Sequence, residues 1–287
     1  GIGAELSLKD GNLIIVSPFD GSPAKNAGAK PGDKILQIDD KSTAGMDVSE
    51  AVALIRGDSG TTVKLVLQTG TEAPREVIVT RGVITVSSVT WEDKGDGTAY
   101  IRISRFGTDT NTEWDRVASE VNVKMPELDA IIVDVRGNPG GYLESAIHIS
   151  EDFFRDKTVL YEETSMGEQI PFKTSKVGVF KDVPAVFVLI DQGSASASEI
   201  LAAALRDNIG AKLIGEKSFG KGTIQDAKDF NDNSGLHITI AKWLTPKKEW
   251  VHGKGLEPDI KVEITDEDLS NGVDAQLNKA IELAKEF

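Results

Sequence analysis

The sequence predicts a multidomain chain, α+β over residues 1–82 and α/β over residues 83–287, and three observations carry that prediction. With 287 residues, the chain exceeds the size at which a single hydrophobic core usually stops growing. The first part alternates short strand-like segments with two short capped helices. The second part twice repeats a fully apolar run, a glycine-rich turn and a helix, the signature of strands buried on both faces. Hydrophobic residues make up 39% and charged residues 27% of the chain, a balance that supports a packed core.

In the first domain, Leu13 to Val16 and Lys34 to Ile38 read as strands, punctuated by Pro31-Gly32-Asp33. Between them, Ser22-Pro23-Ala24-Lys25-Asn26-Ala27-Gly28 has a capping serine, a proline at the first helical position and a terminal glycine. Val48, Ala51, Val52 and Ile55 recur at helical spacing, so a second helix is expected from about Asp47 to Ile55, with Gly57 beyond its end. Val63 to Leu67 and Glu76 to Val79 supply two further strands.

The pattern G-I-G-A before a strand, then S-P-A-x-x-A-G-x-x-P-G-D-x-I-L-x-I, resembles a PDZ domain of the bacterial protease type over residues 1–82. Such domains add an extended C-terminal peptide to a sheet edge and receive its carboxylate on loop amides. The resemblance places that loop at Gly1-Ile2-Gly3-Ala4; taken alone, the glycines need only permit a tight turn.

In the second domain, a polar break at Glu92 to Gly97 precedes a strand at Ala99 to Ile103 and an amphipathic helix at Thr112 to Val123. Asp129 to Val135 is a buried strand; it ends in Arg136-Gly137-Asn138-Pro139-Gly140-Gly141 and leads into a helix from about Leu143 to Phe154. The pattern repeats with a strand at Ala185 to Ile190, the turn Gln192-Gly193-Ser194, a helix from about Ser196 to Arg206 and a strand at Lys212 to Gly215. Active sites in such folds collect at the carboxyl ends of the strands. Leu236 to Ile240 reads as a strand and Lys242 to Pro246 as a following turn, with Trp243 and Trp250 packing or lining a groove. Gly255-Leu256-Glu257-Pro258-Asp259 introduces another strand, and an amphipathic helix closes the chain from about Asp274. Its apolar face serves either its own domain, the commoner use, or a second copy of the chain in a homodimer.

Gly193-Ser194-Ala195-Ser196-Ala197-Ser198-Glu199-Ile200 places three serines at a helix start, where free amides favour developing negative charge. Simple capping, with Glu199 completing a capping box from Ser196, accounts for the same residues unless a general base is found. His148, His237 and His252 stand in no motif of a Ser–His–Asp triad or zinc site. Lysine replaces histidine as base where burial depresses its pKa, and Lys221 in Ser218-Phe219-Gly220-Lys221-Gly222-Thr223 is the candidate. A phosphate-binding loop is disfavoured, because Gly222 follows Lys221 where a hydroxyl residue is needed.

Together, D-V-R-G-N-P-G-G, G-S-A-S-A-S-E-I and S-F-G-K-G-T-I-Q, in that order after a PDZ-like domain, closely resemble the carboxyl-terminal processing peptidases, or tail-specific proteases. The resemblance spans essentially the whole chain and implies a PDZ domain plus a crotonase-like α/β serine protease core. It selects Ser196 as nucleophile and Lys221 as base, because the family's pair is 25 positions apart, and it makes Gln225 the residue that orients the lysine amine. Lys217 lies close by without matching. The oxyanion hole is expected to join the amide of Ala197 to that of Gly140 or Gly141, a choice the sequence leaves open. Arg136 and Asn138 are expected to brace the turn rather than to take part in chemistry. Arg56, a charged end to an apolar helix, is either a regulatory contact or a cation at the negative end of the helix dipole.

The implied substrate is a polypeptide with an exposed C-terminus, and neither a metal nor an organic cofactor is called for. The formal net charge of −14 disfavours nucleic acid and anionic lipid surfaces as partners. There is no cysteine, hence no disulfide framework and no thiolate nucleophile. No stretch reaches the roughly 20 apolar residues of a membrane span. Gly1-Ile2-Gly3-Ala4 nevertheless runs straight into a strand-like segment, which implies a natural start upstream and leaves room there for a signal or a membrane anchor. From the resemblance, the expected location is extracytoplasmic, periplasmic or at the cell surface, with the full-length protein membrane-tethered. Two other functions are expected as rivals: an inactive PDZ scaffold, and a crotonase-like acyl-transfer enzyme, the latter to be separated by turnover of a coenzyme A thioester.

Overall fold

The computed structural model describes residues 1–9, 11–18, 21–84, 87–229 and 235–287, which pack as two compact units, Gly1–Val86 and Ser87–Phe287. In the first unit, β1 (Ala4–Lys9), β2 (Asn12–Pro18), β3 (Lys34–Ile38), β5 (Thr62–Gln68) and β6 (Arg75–Thr80) form an antiparallel sheet in the order β1-β2-β3-β5-β6, with the short β4 (Lys41–Ser42) on β3. Alternation along β5 buries Val63, Leu65 and Leu67 and leaves Lys64 and Val66 half-covered, as a one-sided sheet requires. The buried face packs on helix α1 (Pro23–Asn26) through Ala24 and on α2 (Val48–Ile55) through Ala51 and Ile55.

Both helices begin where their caps predict. Ser22 Oγ accepts from the Lys25 amide at 3.2 Å, and Asp47 and Glu50 form a reciprocal capping box. The end of α2 is different. Arg56 is exposed in extended backbone, and the cation at the helix's last carbonyls is Arg81, just beyond β6. Buried to 9% exposure, Arg81 donates to the carbonyls of Ile55 at 2.7 Å, Leu54 at 3.3 Å and Thr62 at 2.6 Å. Gly57 is small because a Cβ there would come within 2.9 Å of Arg81 Nε.

The second unit is built on the sheet β16-β13-β12-β9-β8-β7. Its strands are β7 (Val89–Asp93), β8 (Thr98–Ile103), β9 (Ala130–Asp134), β12 (Ala185–Ile190), β13 (Lys212–Gly215) and β16 (Ile260–Lys261); only the β7–β8 pair is antiparallel. The expected polar break at Glu92 to Gly97 is thus the end and turn of a hairpin whose first strand, β7, the sequence reading did not identify. One face, with Ile131, Val133, Val188 and Leu213, packs under α3 (Thr110–Lys124), α4 (Leu143–Ser150) and α5 (Ala197–Ile209). The other, with Ile132, Phe187 and Leu189, packs on Ala280 and Ala284 of α7 (Ala275–Ala284). The apolar face of the last helix is therefore covered by its own sheet. A short α6 (Asp266–Asn271) precedes it.

A second, antiparallel sheet, β11-β10-β15-β14, comprises β10 (Thr158–Glu163), β11 (Gln169–Lys173), β14 (Thr223–Asp229) and β15 (Gly235–Leu244). The segment expected as a turn from Lys242 begins instead as strand, and Trp243 within it is 1% exposed. A register shift between Ile224 and Gln225 skips Ile240 on the partner strand; by strand alternation Ile238 and Ile240 are exposed while Ala241 and Trp243 are buried.

Replacing Arg81 with alanine strips donors from three carbonyls and is expected to destabilise the first unit by about 2–4 kcal/mol. Hydrogen exchange of the α2 amides should accelerate while the second unit stays protected. Arg81→Lys should recover only part of the loss, because an ammonium does not reproduce the guanidinium fork.

Candidate active site

Two turns at the carboxyl ends of adjacent parallel strands meet here. The turn after β9 runs from Val135 to Tyr142, and the turn after β12 runs from Asp191 to Ser196 at the head of α5. Their join is made of backbone: the Ala195 amide donates to Asn138 O at 3.0 Å, and Ser198 Oγ donates to the same oxygen at 2.9 Å. Asn138, fully buried, donates from Nδ2 to Ile103 O and accepts the Gly140 amide on Oδ1, both at 2.9 Å.

The three serines differ sharply. Ser194 and Ser198 are fully buried, Ser194 Oγ donating to Val135 O at 2.8 Å and Ser198 Oγ to Asn138 O. Ser196 is half-buried and sits at φ 56°, ψ −115°, a backbone conformation costing a non-glycine residue about 1–3 kcal/mol. Such strain at a sharp strand-to-helix turn lifts a side chain out of the surface. As the first residue of α5, Ala197 has an amide with no intrahelical acceptor, and no acceptor for it stands among the described residues.

The two glycines are required for separate reasons. At Gly140 (φ 96°) a Cβ would lie 2.8 Å from Ser196 Cβ and 3.0 Å from the Ala197 nitrogen. At Gly141 (φ 140°) it would overlap Phe106 O at 1.9 Å. Their amides also differ: that of Gly140 is spent on Asn138, whereas that of the exposed Gly141 meets no acceptor among the described residues.

Lys221 lies in the segment between β13 and β14, half-buried. Glu199, fully buried on α5, locates this segment by accepting the Lys221 amide at 2.8 Å, the Gly220 amide at 2.7 Å, Ser218 Oγ at 2.6 Å and the Ser196 amide at 2.9 Å. The sequence reading saw in Glu199 only a cap; the available signal was a carboxyl residue on an otherwise apolar helical run. Trp243 Nε1 donates to Lys221 O at 2.8 Å and Trp250 Nε1 to Gly222 O at 2.9 Å. Gln225 is exposed at the register shift of β14. Among the described residues no hydrogen bond joins the side chains of Ser196, Lys221 and Gln225. Lys217 pairs with Glu257 at 2.6 Å.

Arg136 braces the turn as a fork. It donates to Asp134 at 2.6 Å, Asp274 at 2.8 Å and Gln276 at 3.0 Å, tying the cap of α7 to the end of β9. Burial raises the Asp274 carboxyl, but bonds from Arg136 and the Leu277 amide bring it net below the ordinary carboxylate value of 3.8. His148 pairs with Asp115 at 2.7 Å and His252 stacks on Trp250; the side chain of His237 lies outside the described residues. Among the described residues, no three acidic or histidine side chains cluster closely enough to hold a metal ion.

In the first unit, Gly1-Ile2-Gly3-Ala4 and Arg56 line one apolar groove of about 690 Å³ beside Leu6 and Val52. The outer edge of β1 is unpaired, and the amides of Ile2 and Gly3 meet no acceptor among the described residues. Arg56 is exposed, with no ion-pair partner among those residues.

The chain matches the models of peptidase family S41 over residues 97–262 and of the PDZ domain over residues 14–69. It is 42% identical over 267 residues to carboxy-terminal processing protease CtpA of Bacillus subtilis (strain 168) and 40% identical over 271 residues to CtpB of the same organism. Each match covers 93% of this chain and 56% of the relative, so the chain spans little more than half their length. A carboxyl-terminal-processing protease of Synechocystis sp. is 37% identical over 293 residues, covering 99% of this chain and 68% of the relative. Among solved structures, the photosystem II D1 C-terminal processing protease matches with TM-score 0.56 and 26% identity, over 94% of this chain and 74% of its own. The tricorn protease, with TM-score 0.58 and 18% identity over 100% of this chain and 29% of its own, shows likeness of fold alone.

Glu199→Ala leaves the amides of Gly220, Ser196 and Lys221 and the Ser218 hydroxyl without their acceptor; at about 1–3 kcal/mol each and about 2–4 °C per kcal/mol, the thermal midpoint of the second unit should fall by at least about 6 °C in calorimetry. For Asp274, a folded value below the unfolded one means that its stabilisation is present above pH 3.8 and is lost as pH falls through the folded value. The midpoint difference between the wild type and Asp274→Asn should therefore shrink towards low pH; a constant difference refutes the coupling.

Proposed function

The chain belongs to peptidase family S41, and from that premise we propose that it is a serine endopeptidase acting through Ser196 and Lys221, guided by a PDZ domain that reads the C-termini of its polypeptide substrates. The observation that carries the reading is the contrast among the three serines. Ser194 and Ser198 are buried and committed to backbone carbonyls, while Ser196 alone of the three is accessible, strained and next to the Ala197 amide, which meets no acceptor among the described residues.

In the proposed mechanism Lys221 takes the proton of Ser196 as its oxygen attacks a peptide carbonyl; the tetrahedral intermediate then collapses, the C–N bond breaks as the protonated Lys221 gives its proton to the departing amine, and an acyl-enzyme remains. Water attacks in turn, giving its proton to Lys221; the ester C–O bond breaks, the carboxylic acid product leaves and Lys221 returns the proton to Ser196. The amides of Ala197 and Gly141 carry the oxyanion in both steps; Gly141 is preferred to Gly140 because the Gly140 amide is already donated. Gln225 orients the lysine amine. The lysine–serine bond forms as substrate excludes water, since catalytic hydrogen bonds commonly tighten only in the complex. The substrate's terminal carboxylate is received by the amides of Ile2, Gly3 and Ala4, and Arg56 makes cleavage respond to occupancy of the groove. The same reading places the protein outside the cytoplasm, tethered to the membrane by a part of a longer chain. Among the described residues no helix is long and apolar enough to cross a membrane.

Cleavage of casein, with and without an added apolar C-terminal peptide, tests the reading. Ser196→Ala and Lys221→Ala should each abolish turnover, by about ten-thousand-fold or more, and Gln225→Ala should reduce it about a hundredfold. Arg56→Ala should keep basal cleavage and lose stimulation by peptide. Full activity in Ser196→Ala would overturn the site, and unchanged stimulation in Arg56→Ala would remove its regulatory role.

A further inference from the structure

Lys221 stands between two glycines, and both are small because another segment of the chain lies against them. A Cβ on Gly222 would come within 2.7 Å of the His252 nitrogen and 2.8 Å of Trp250 Nε1, and one on Gly220 within 2.7 Å of the Gly255 nitrogen. The Gly220-Lys221-Gly222 pattern is thus the footprint of the turn from Trp250 to Gly255. A backbone flanked by two residues without side chains has little of its own to fix it, so the direction in which Lys221 leaves the chain depends on the partners of the neighbouring peptide groups.

Those partners come from two sides. On one, Glu199 accepts the amides of Gly220 and Lys221. On the other, three consecutive carbonyls are each held by a donor. Gly220 O accepts the Gly253 amide at 3.0 Å, Lys221 O accepts Trp243 Nε1 at 2.8 Å, and Gly222 O accepts Trp250 Nε1 at 2.9 Å and the Trp243 amide at 3.2 Å. The two indoles are not equivalent. Trp243 is 1% exposed and belongs to the core, whereas Trp250 keeps 40% of its surface in solvent. The Trp250 ring stacks on His252 with centroids 5.2 Å apart and lies 4.7 Å from Lys242 Nζ, and Lys242 is tied in turn to Glu163 at 3.1 Å. These contacts orient a partly exposed ring so that its one polar atom meets the backbone beside the lysine.

We infer that Trp250 is a positioning residue for the reaction: its indole N–H, holding the Gly222 carbonyl, removes the rotational freedom that Gly222 would otherwise give the segment and so keeps the Lys221 amine in reach of Ser196. The inference rests on the reading of Lys221 as general base and adds to it a residue from the turn after β15. The physical ground is orientation. A proton is taken efficiently only within hydrogen-bond reach, and a misplacement of about 1 Å at a reacting group costs on the order of a hundredfold in rate.

The test is Trp250→Phe, which keeps a ring for the stack and loses the N–H, measured on the whole chain with a quenched fluorescent peptide derived from casein. The variant should lower kcat about tenfold and leave KM within about twofold, because the lost bond touches the base and not the substrate. Its thermal midpoint should stay within about 2 °C of wild type. Labelling of Ser196 by a small fluorophosphonate, followed by mass spectrometry, should slow by the same factor as kcat, since that reagent reads activation of the serine without a peptide. His252→Ala, which keeps the N–H and loosens the ring, should give a smaller loss of about threefold. Wild-type kcat and labelling in Trp250→Phe overturn the inference, as does a loss confined to KM or one that comes with a midpoint lowered by about 5 °C or more. Should Trp250→Phe fail to fold, wild-type labelling in His252→Ala overturns it equally. Retention of cleavage by Lys221→Ala would instead defeat the reading of the base, so the two failures are distinct.

Discussion

A single buried carboxylate holds the larger unit's functional surface together. Glu199 has no exposed surface and yet accepts four donors from two chain segments, the head of α5 and the run from Ser218 to Lys221. A carboxylate out of water is stable only when its oxygens are fully engaged. The donors are backbone amides and one hydroxyl, which have fixed positions, so satisfying the carboxylate also fixes where the lysine segment runs. The Ser218 hydroxyl accepts the Leu256 amide at 2.7 Å and extends the network to the turn before β16.

Around that hub the backbone is arranged to leave particular amides free. Most polar groups of the two turns are satisfied internally: Gly137 and Gly193 donate to Asp191, Gly140 to Asn138, and Ala195 to Asn138 O. Against this background the amides of Ala197 and Gly141 stand out, with no acceptor among the described residues; for Ala197, fully buried, that is costly unless something else is to use the amide. The strain at Ser196 belongs to the same arrangement. A positive φ persists there because the turn on one side and the helix on the other over-determine it.

The smaller unit solves a different electrostatic problem. Its groove ends near the carbonyl end of α2, the negative end of the helix dipole and an unfavourable place for an anion. Arg81 neutralises that end from within, through bonds to the carbonyls of Leu54 and Ile55. This leaves Arg56 exposed at the groove rather than occupied by its own helix.

The sequence by itself determined the elements whose signals are local. The apolar runs at Ala130–Asp134 and Ala185–Ile190, the caps at Ser22 and Asp47, and the glycine-rich turns between strands and helices were legible, because burial on both faces and capping chemistry are written in adjacent residues. The family could be read for the same reason, from three short motifs in order. Tertiary structure alone decided the strands with mixed or polar composition, β7, β10, β11 and β14. β14 reads Thr-Ile-Gln-Asp-Ala-Lys-Asp, a strand only because β15 pairs with it. It also decided which serine is accessible, which glycine amide meets no acceptor among the described residues, and that the cation on the last carbonyls of α2 is Arg81 rather than Arg56. These are facts about partners: accessibility, acceptor use and charge pairing depend on groups far apart in the chain, and no local pattern encodes which of several equivalent residues meets them.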